Sequence, residues 1–94
     1  MNISGPLEVW SAADGRWHYL NIPEEESGEI RAHGMMIRRG FGSVRVEARV
    51  GDIVWWTSVF PMKSGGYFLP MKFEVCRKAG LTAGAPVEVE LELL

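Results

Sequence analysis

Two stretches of strict alternation constrain this chain more than any other feature. From Val44 to Val50, the side chains of Val44, Val46, Ala48 and Val50 point one way, and Arg45, Glu47 and Arg49 the other. In residues 86–94, Val87, Val89, Leu91 and Leu93 alternate with Glu88, Glu90 and Glu92. A period of two belongs to a strand with one face on a core and the other in water. A chain that carries two such strands needs further strands to pair with them, and the remaining sequence supplies these.

Residues 7–12 and 16–22 form two short strand runs joined by Asp14-Gly15, a strong hairpin signal. Pro23 opens a helix, and Glu24, Glu25 and Glu26 place negative charge at the positive end of its dipole. The spacing predicts a helix over 23–33 with Gly34 as its stop. After the 44–50 strand, Gly51-Asp52 marks a turn. The run 53–60 is apolar on both faces, which predicts a core on one side and a covering helix on the other. Of the adjacent Trp55 and Trp56, one is then core and the other lies under a helix or at an interface. A strand over 67–71 carries Pro70, expected at an edge, a bulge or a strand end. Residues 72–79 read as a second short helix, with Phe73, Val75, Cys76 and Ala79 as its apolar stripe and Gly80 as its stop. The order is ββαβββαβ. It predicts a mainly β fold: a compact closed six-stranded β-barrel with two short helices, forming one domain over residues 1–94, since closure removes exposed edges.

Composition narrows the setting. No apolar run approaches the roughly 20 residues of a membrane-spanning helix, and residues 1–4 do not begin a signal peptide. The single Cys76 allows no internal disulfide. The expectation is a soluble cytoplasmic protein with no membrane partner. Net charge is −2, but residues 31–80 carry nine basic side chains against three acidic ones, so the middle is +6 and the two ends together −8. Acidic end strands can neutralise basic middle strands across a sheet, or the basic middle can form a pocket for an anion.

Arg39-Gly40-Phe41-Gly42-Ser43-Val44-Arg45-Val46 resembles the RNA-reading strand of an RRM domain. Ser43 and Val46 stand where that motif places stacking aromatics, and an RRM runs βαββαβ rather than the order found here. The same residues open a longer resemblance. Arg38 to Val46, Trp56-Thr57-Ser58-Val59-Phe60-Pro61, Gly65-Gly66-Tyr67-Phe68-Leu69-Pro70-Met71-Lys72 and Arg77-Lys78-Ala79-Gly80-Leu81 occur in this order in one bacterial family, domain of unknown function nineteen-oh-five. That resemblance implies a compact six-stranded β-barrel with flanking helices and no established reaction. The chain has Gly84-Ala85 where many relatives have Gly-Asp, and Met62 where an acid is frequent. Leu69-Pro70 with the later Arg77 to Leu81 block also resembles the swapped-hairpin DNA-binding domains of bacterial transition-state regulators, which are half-barrels of about half this length.

No catalytic set assembles from the sequence. His18 and His33 lack carboxylate partners and metal-ligand spacing, Cys76 sits on an apolar stripe, and Ser58 has no visible base. No metal or cofactor is expected. Lys63, Gly65, Gly66 and Tyr67 meet at one loop-to-strand junction, with Lys72 and Arg77 at the next helix. Glycine turns and helix starts offer N–H groups to anions. The expectation is that Arg39, Lys63, Tyr67, Lys72 and Arg77 line an anion-accepting depression at one barrel end; otherwise they cap elements and pair with Glu88, Glu90 or Glu92. The partner expected is a small anionic ligand, with a protein partner or a homodimer as the other class. Nucleic acid is disfavoured by the net acidic chain.

Overall fold

The computed structural model describes residues 1–13, 15–37 and 42–94. Its elements are β1 (Asn2–Pro6), β2 (Glu8–Ala12), β3 (Gly15–Ile22), α1 (Glu24–Ile37), β4 (Val44–Val50), β5 (Ile53–Pro61), β6 (Tyr67–Met71), α2 (Phe73–Ala79) and β7 (Pro86–Leu93). The strands form one sheet in the order β1-β7-β4-β5-β6-β3-β2, antiparallel at every pairing.

The mainly β character stands, but the sheet is a curled half-barrel of seven strands and not a closed six-stranded barrel. The additional strand is β1. Its sequence, Asn2-Ile3-Ser4-Gly5-Pro6, holds a single large apolar residue and two strand-weakening ones, so no local pattern announces it. It forms because β7 offers an edge, pairing Asn2 with Glu90 through to Pro6 with Pro86. Only Leu7 separates β1 from β2, and it is buried. Its N–H donates to the Ala85 carbonyl at 2.9 Å and its carbonyl accepts from Gly84 N–H at 2.8 Å. The chain thus passes from one edge strand of the sheet to the other through this corner.

β5 is the hinge between two halves of the sheet. Val44 to Val50 pair with it from Val59 back to Ile53, after which Phe60 and Pro61 change partner to Phe68 and Tyr67 of β6. The concave side holds the core: Ile3, Leu20, Ile22, Val44, Val46, Val59, Leu69, Val89 and Leu91 among others, with Ile30 from α1 and Val75 and Cys76 from α2. Full burial of an aliphatic side chain contributes about 1.5–3 kcal/mol, so this face provides the principal stabilisation.

Both helices differ from expectation in instructive ways. Gly34 does not stop α1, which continues to Ile37. A β-carbon at Gly34 would stand 3.1 Å from Val44 Cγ2, so the glycine is explained by close packing of helix on strand rather than by termination. Gly80 does end α2 as expected, in the left-handed region at φ 67°, its N–H meeting the Arg77 and Cys76 carbonyls. Trp55 is core, while Trp56 is 61% exposed, so no helix among the described residues buries it. Arg38, Arg39, Gly40 and Phe41 lie outside the described residues. Gly42 is described; at φ 75° and with Pro61 Cγ 3.3 Å from where a β-carbon would be, it admits no other residue without strain.

A candidate binding face

The outer side of the sheet is where the chain differs from an ordinary core-and-solvent design. On the β7–β4 half it is charged. Register places Arg49 opposite Glu90 and Glu47 opposite Glu92, with Glu88 and Arg45 on the same face. One opposed pair is attractive and the other repulsive, so cross-sheet neutralisation is only partial.

On the β2–β3–β6 half the same outer side is aromatic. The hairpin register sets Trp10 directly against Trp17 and Glu8 against Tyr19. Tyr19 in turn faces Pro70, Asn21 faces Phe68, and Phe68 faces Phe60 at the change of partner in β5. Trp10 and Trp17 are 61% and 53% exposed. The Tyr19 and Phe68 rings meet edge to face with centroids 6.0 Å apart, and Phe60 lies 5.8 Å from Phe68 at a tilt of 31°. Such pairs lock ring positions by about 0.5–1.5 kcal/mol beyond area burial. Trp10, Trp17, His18, Tyr19, Met62, Phe68 and Pro70 line a depression of about 430 Å³, a size that admits a small organic ligand.

A second depression, of about 420 Å³, lies between the start of α1 and the 62–66 loop, lined by Glu24, Ser27, Arg31, Met62, Gly65 and Gly66 among others. Its walls are tied down. Ser27 is buried; its hydroxyl donates to the Ile22 carbonyl at 3.1 Å and accepts from the Tyr67 N–H at 3.2 Å. Ile22 and Tyr67 are themselves register partners, so Ser27 clamps α1 onto the end of the β3–β6 pair. The Arg31 guanidinium donates to the Gly65 carbonyl, and the Gly65 N–H is taken by the Met62 carbonyl at 3.0 Å. Met62 lines both depressions.

The five residues expected to hold an anion are distributed as follows. Arg39 lies outside the described residues. Lys63 is exposed in the loop directly after Met62. Lys72 is exposed at the N-cap of α2, one position beyond Met71, which pairs with His18. Lys63 therefore follows directly on Met62, which lines the aromatic depression, while Lys72 follows Met71, a core residue whose register partner His18 lines it. Tyr67 is buried on the core side of β6, and Arg77 is exposed on the last turn of α2, whose Val75 and Cys76 face inward. The glycine turn does not lend the Gly65 N–H to a ligand in this arrangement.

Remaining chemistry-bearing groups are quiet. Burial pushes the Cys76 thiol above its ordinary value, with a backbone hydrogen bond pulling weakly the other way. A raised thiol holds less thiolate and is less reactive. His33 sits 2.8 Å from the Leu94 carbonyl. Among the described residues no group of three or more His, Cys, Asp or Glu side chains comes together as a metal site, and no helix is long and apolar enough to cross a membrane. The Trp55 indole N–H is buried and finds no hydrogen-bond acceptor among the described residues.

The aromatic outer residues were within reach of sequence reasoning. Once Asp14-Gly15 is taken as a hairpin turn, counting outward from Ala12 and Gly15 puts Trp10 opposite Trp17. Charge and nucleophile patterns do not point to it, because neither Trp10 nor Trp17 carries a titratable group.

Fold and face together describe a small antiparallel β half-barrel whose outer surface is divided into a charged and an aromatic half. Its sequence matches the family model described as Domain of unknown function (DUF1905) over residues 4–91, and the chain belongs to that family. A search of curated proteins finds no match.

Proposed function

We propose that the protein is a binding module that takes a small anionic ligand with a flat apolar part. The apolar part stacks in the depression between Trp10, Trp17, Tyr19 and Phe68, and the anionic group reaches for Lys63, next in sequence to the lining residue Met62, or Lys72. The observation that carries this reading is the aromatic depression of about 430 Å³ on the outer sheet face, since contiguous exposed aromatic surface marks an interaction site. Aromatic faces supply about 1–3 kcal/mol per stacked ring, and a lysine adds a point charge on a flexible stem without fixing geometry.

A small ligand fits better than a nucleic-acid strand. A long polyanion crossing the outer face would meet Glu47, Glu88, Glu90 and Glu92 on the neighbouring half. The test is a tryptophan-fluorescence titration with nucleoside monophosphates, aromatic carboxylates and inorganic phosphate. Aromatic anions are expected to give saturable quenching that inorganic phosphate does not, and Trp17→Ala to weaken it at least tenfold. If no aromatic anion gives a saturable change up to solubility, or if Trp17→Ala binds as well as the parent chain, the reading is wrong.

A further inference from the structure

We propose that the outer edge of β2 is a self-association edge, pairing with β2 of a second copy in an antiparallel, two-fold arrangement centred on Trp10. The argument begins with the two sheet edges, which are treated differently. β1 ends in Pro6, and the sheet curls until Gly5 approaches β3, where a β-carbon on Gly5 would lie 3.7 Å from Leu20 Cδ1. That edge is shielded. β2 has fewer of the usual protections: Glu8-Val9-Trp10-Ser11-Ala12 contains no proline and no lysine, and its one charged residue, Glu8, stands at its start. Among the described residues no backbone hydrogen bond beyond the β2–β3 ladder involves these five residues. Val9 and Trp10 are exposed there. A strand of this kind leaves every second N–H and C=O facing outward, ready for another strand.

The identity of the partner follows from how β2 matches itself. With Trp10 on the two-fold axis, all five residues pair: Glu8 with the partner's Ala12, Val9 with the partner's Ser11, and Trp10 with the partner's Trp10. The one charged residue in the strand meets no like charge. The two Trp10 side chains come together on the outer face, each already flanked by its own Trp17, giving four indoles in a row across the joined sheets. Aromatic cross-strand pairs are among the more favourable ones in antiparallel sheets. Moving the centre to Ser11 would leave Glu8 and Val9 without a partner in β2 of the second copy, and moving it to Val9 would leave Ser11 and Ala12 beyond the paired segment. A five-residue ladder is short, so the dimer belongs to the small-interface, reversible class. The dimer seam and the ligand depression share Trp10, so the two readings are separated at Ala12, which reports on the seam and lines no part of the depression.

Sedimentation equilibrium from about 10 µM to about 1 mM, the range in which weak association is visible, tests this directly. The average mass is expected to rise with concentration from the 10.5 kDa monomer toward twice that value. Ala12→Glu places a second carboxylate opposite Glu8 at two symmetry-related points and is expected to weaken the dimer roughly threefold to tenfold. Ala12→Lys places a cation there and is expected to tighten it by a similar factor, and Glu8→Lys combined with Ala12→Glu to restore association. The opposite signs at one position separate register-specific pairing from a general loss of folding. A chain that stays monomeric at 1 mM, its edge then left to another protein's strand, overturns the proposal. So does a dimer whose strength is indifferent to both Ala12 variants.

Discussion

The two halves of this sheet share one inner face but have opposite outer faces. On β4 and β7, outward positions are Arg45, Glu47, Arg49, Glu88, Glu90 and Glu92; on β2, β3 and β6 they include Trp10, Trp17, Tyr19 and Phe68. Inward positions are aliphatic in both, from Val46 and Val89 to Leu20 and Leu69. The inner face supplies the principal burial. A charged outer face satisfies solubility at no cost to the core, whereas exposed tryptophans add only the modest cross-strand gain of about 0.2–1 kcal/mol per pair and raise the risk of aggregation. The aromatic half is therefore where function is expected.

The sharpest way to break the comparison is to truncate β3 on each side in turn. Leu20→Ala removes a fully buried side chain and is expected to cost about 2–5 kcal/mol in denaturant unfolding. Trp17→Ala, on the other face, is expected to stay within about 1 kcal/mol, because more than half of its surface is already in water. Equal losses would mean that the outer aromatics are structural. Next in size is Ser27→Ala, which strips the Tyr67 N–H and the Ile22 carbonyl of their buried partner. A loss of about 1–3 kcal/mol is expected by urea titration, and Ser27→Thr should recover part of it if there is room for the methyl.

In the charged half, Glu92→Lys converts the repulsive pairing with Glu47 into an attractive one. The gain should be about 0.2–1 kcal/mol at low salt and should shrink in 0.5 M NaCl; a gain that ignores salt would contradict the electrostatic account. The smallest effect is pH-dependent. Cys76 keeps its proton longer in the folded chain than in the unfolded one, because burial disfavours the thiolate. Its contribution is fully present below the unfolded thiol value of about 8.5 and is lost as pH rises through the folded value. Stability should decline more steeply in alkali for the parent chain than for Cys76→Ala, and the parent thiol should label slowly with Ellman's reagent until the chain is unfolded.

The same contrast explains how much could be read in the sequence. In β4 and β7 a charged outer face against an aliphatic inner one produces clean alternation, and both strands were placed to within a residue. In β5 and β6 both faces are apolar, so period alone could not say that Trp56 is exposed and Trp55 buried; of the two places expected for the outer tryptophan, under a helix or at an interface, the first does not hold among the described residues. β1 was invisible for another reason: Asn2-Ile3-Ser4-Gly5-Pro6 becomes a strand through its partner, not through its own preference. Its addition turned an expected six-stranded closure into a seven-stranded curled sheet. Gly34 misled because glycine serves both as a helix stop and as a point of close approach, and sequence does not distinguish them. Of the expected anion-binding residues, Lys63 immediately follows Met62 of the aromatic depression, Lys72 follows the core residue Met71, and Tyr67 turns into the core.

The most direct measurement uses the four tryptophans, which sample both faces of the sheet. In a proton–nitrogen correlation spectrum, each indole N–H gives its own signal, and Trp55, buried in the core, serves as the internal reference. On titration with an aromatic anion, the Trp10 and Trp17 indole signals should move together along one saturable curve while Trp55 stays in place. Movement of Trp55 or Trp56 with Trp10 and Trp17 unchanged would contradict the assignment of function to the aromatic half.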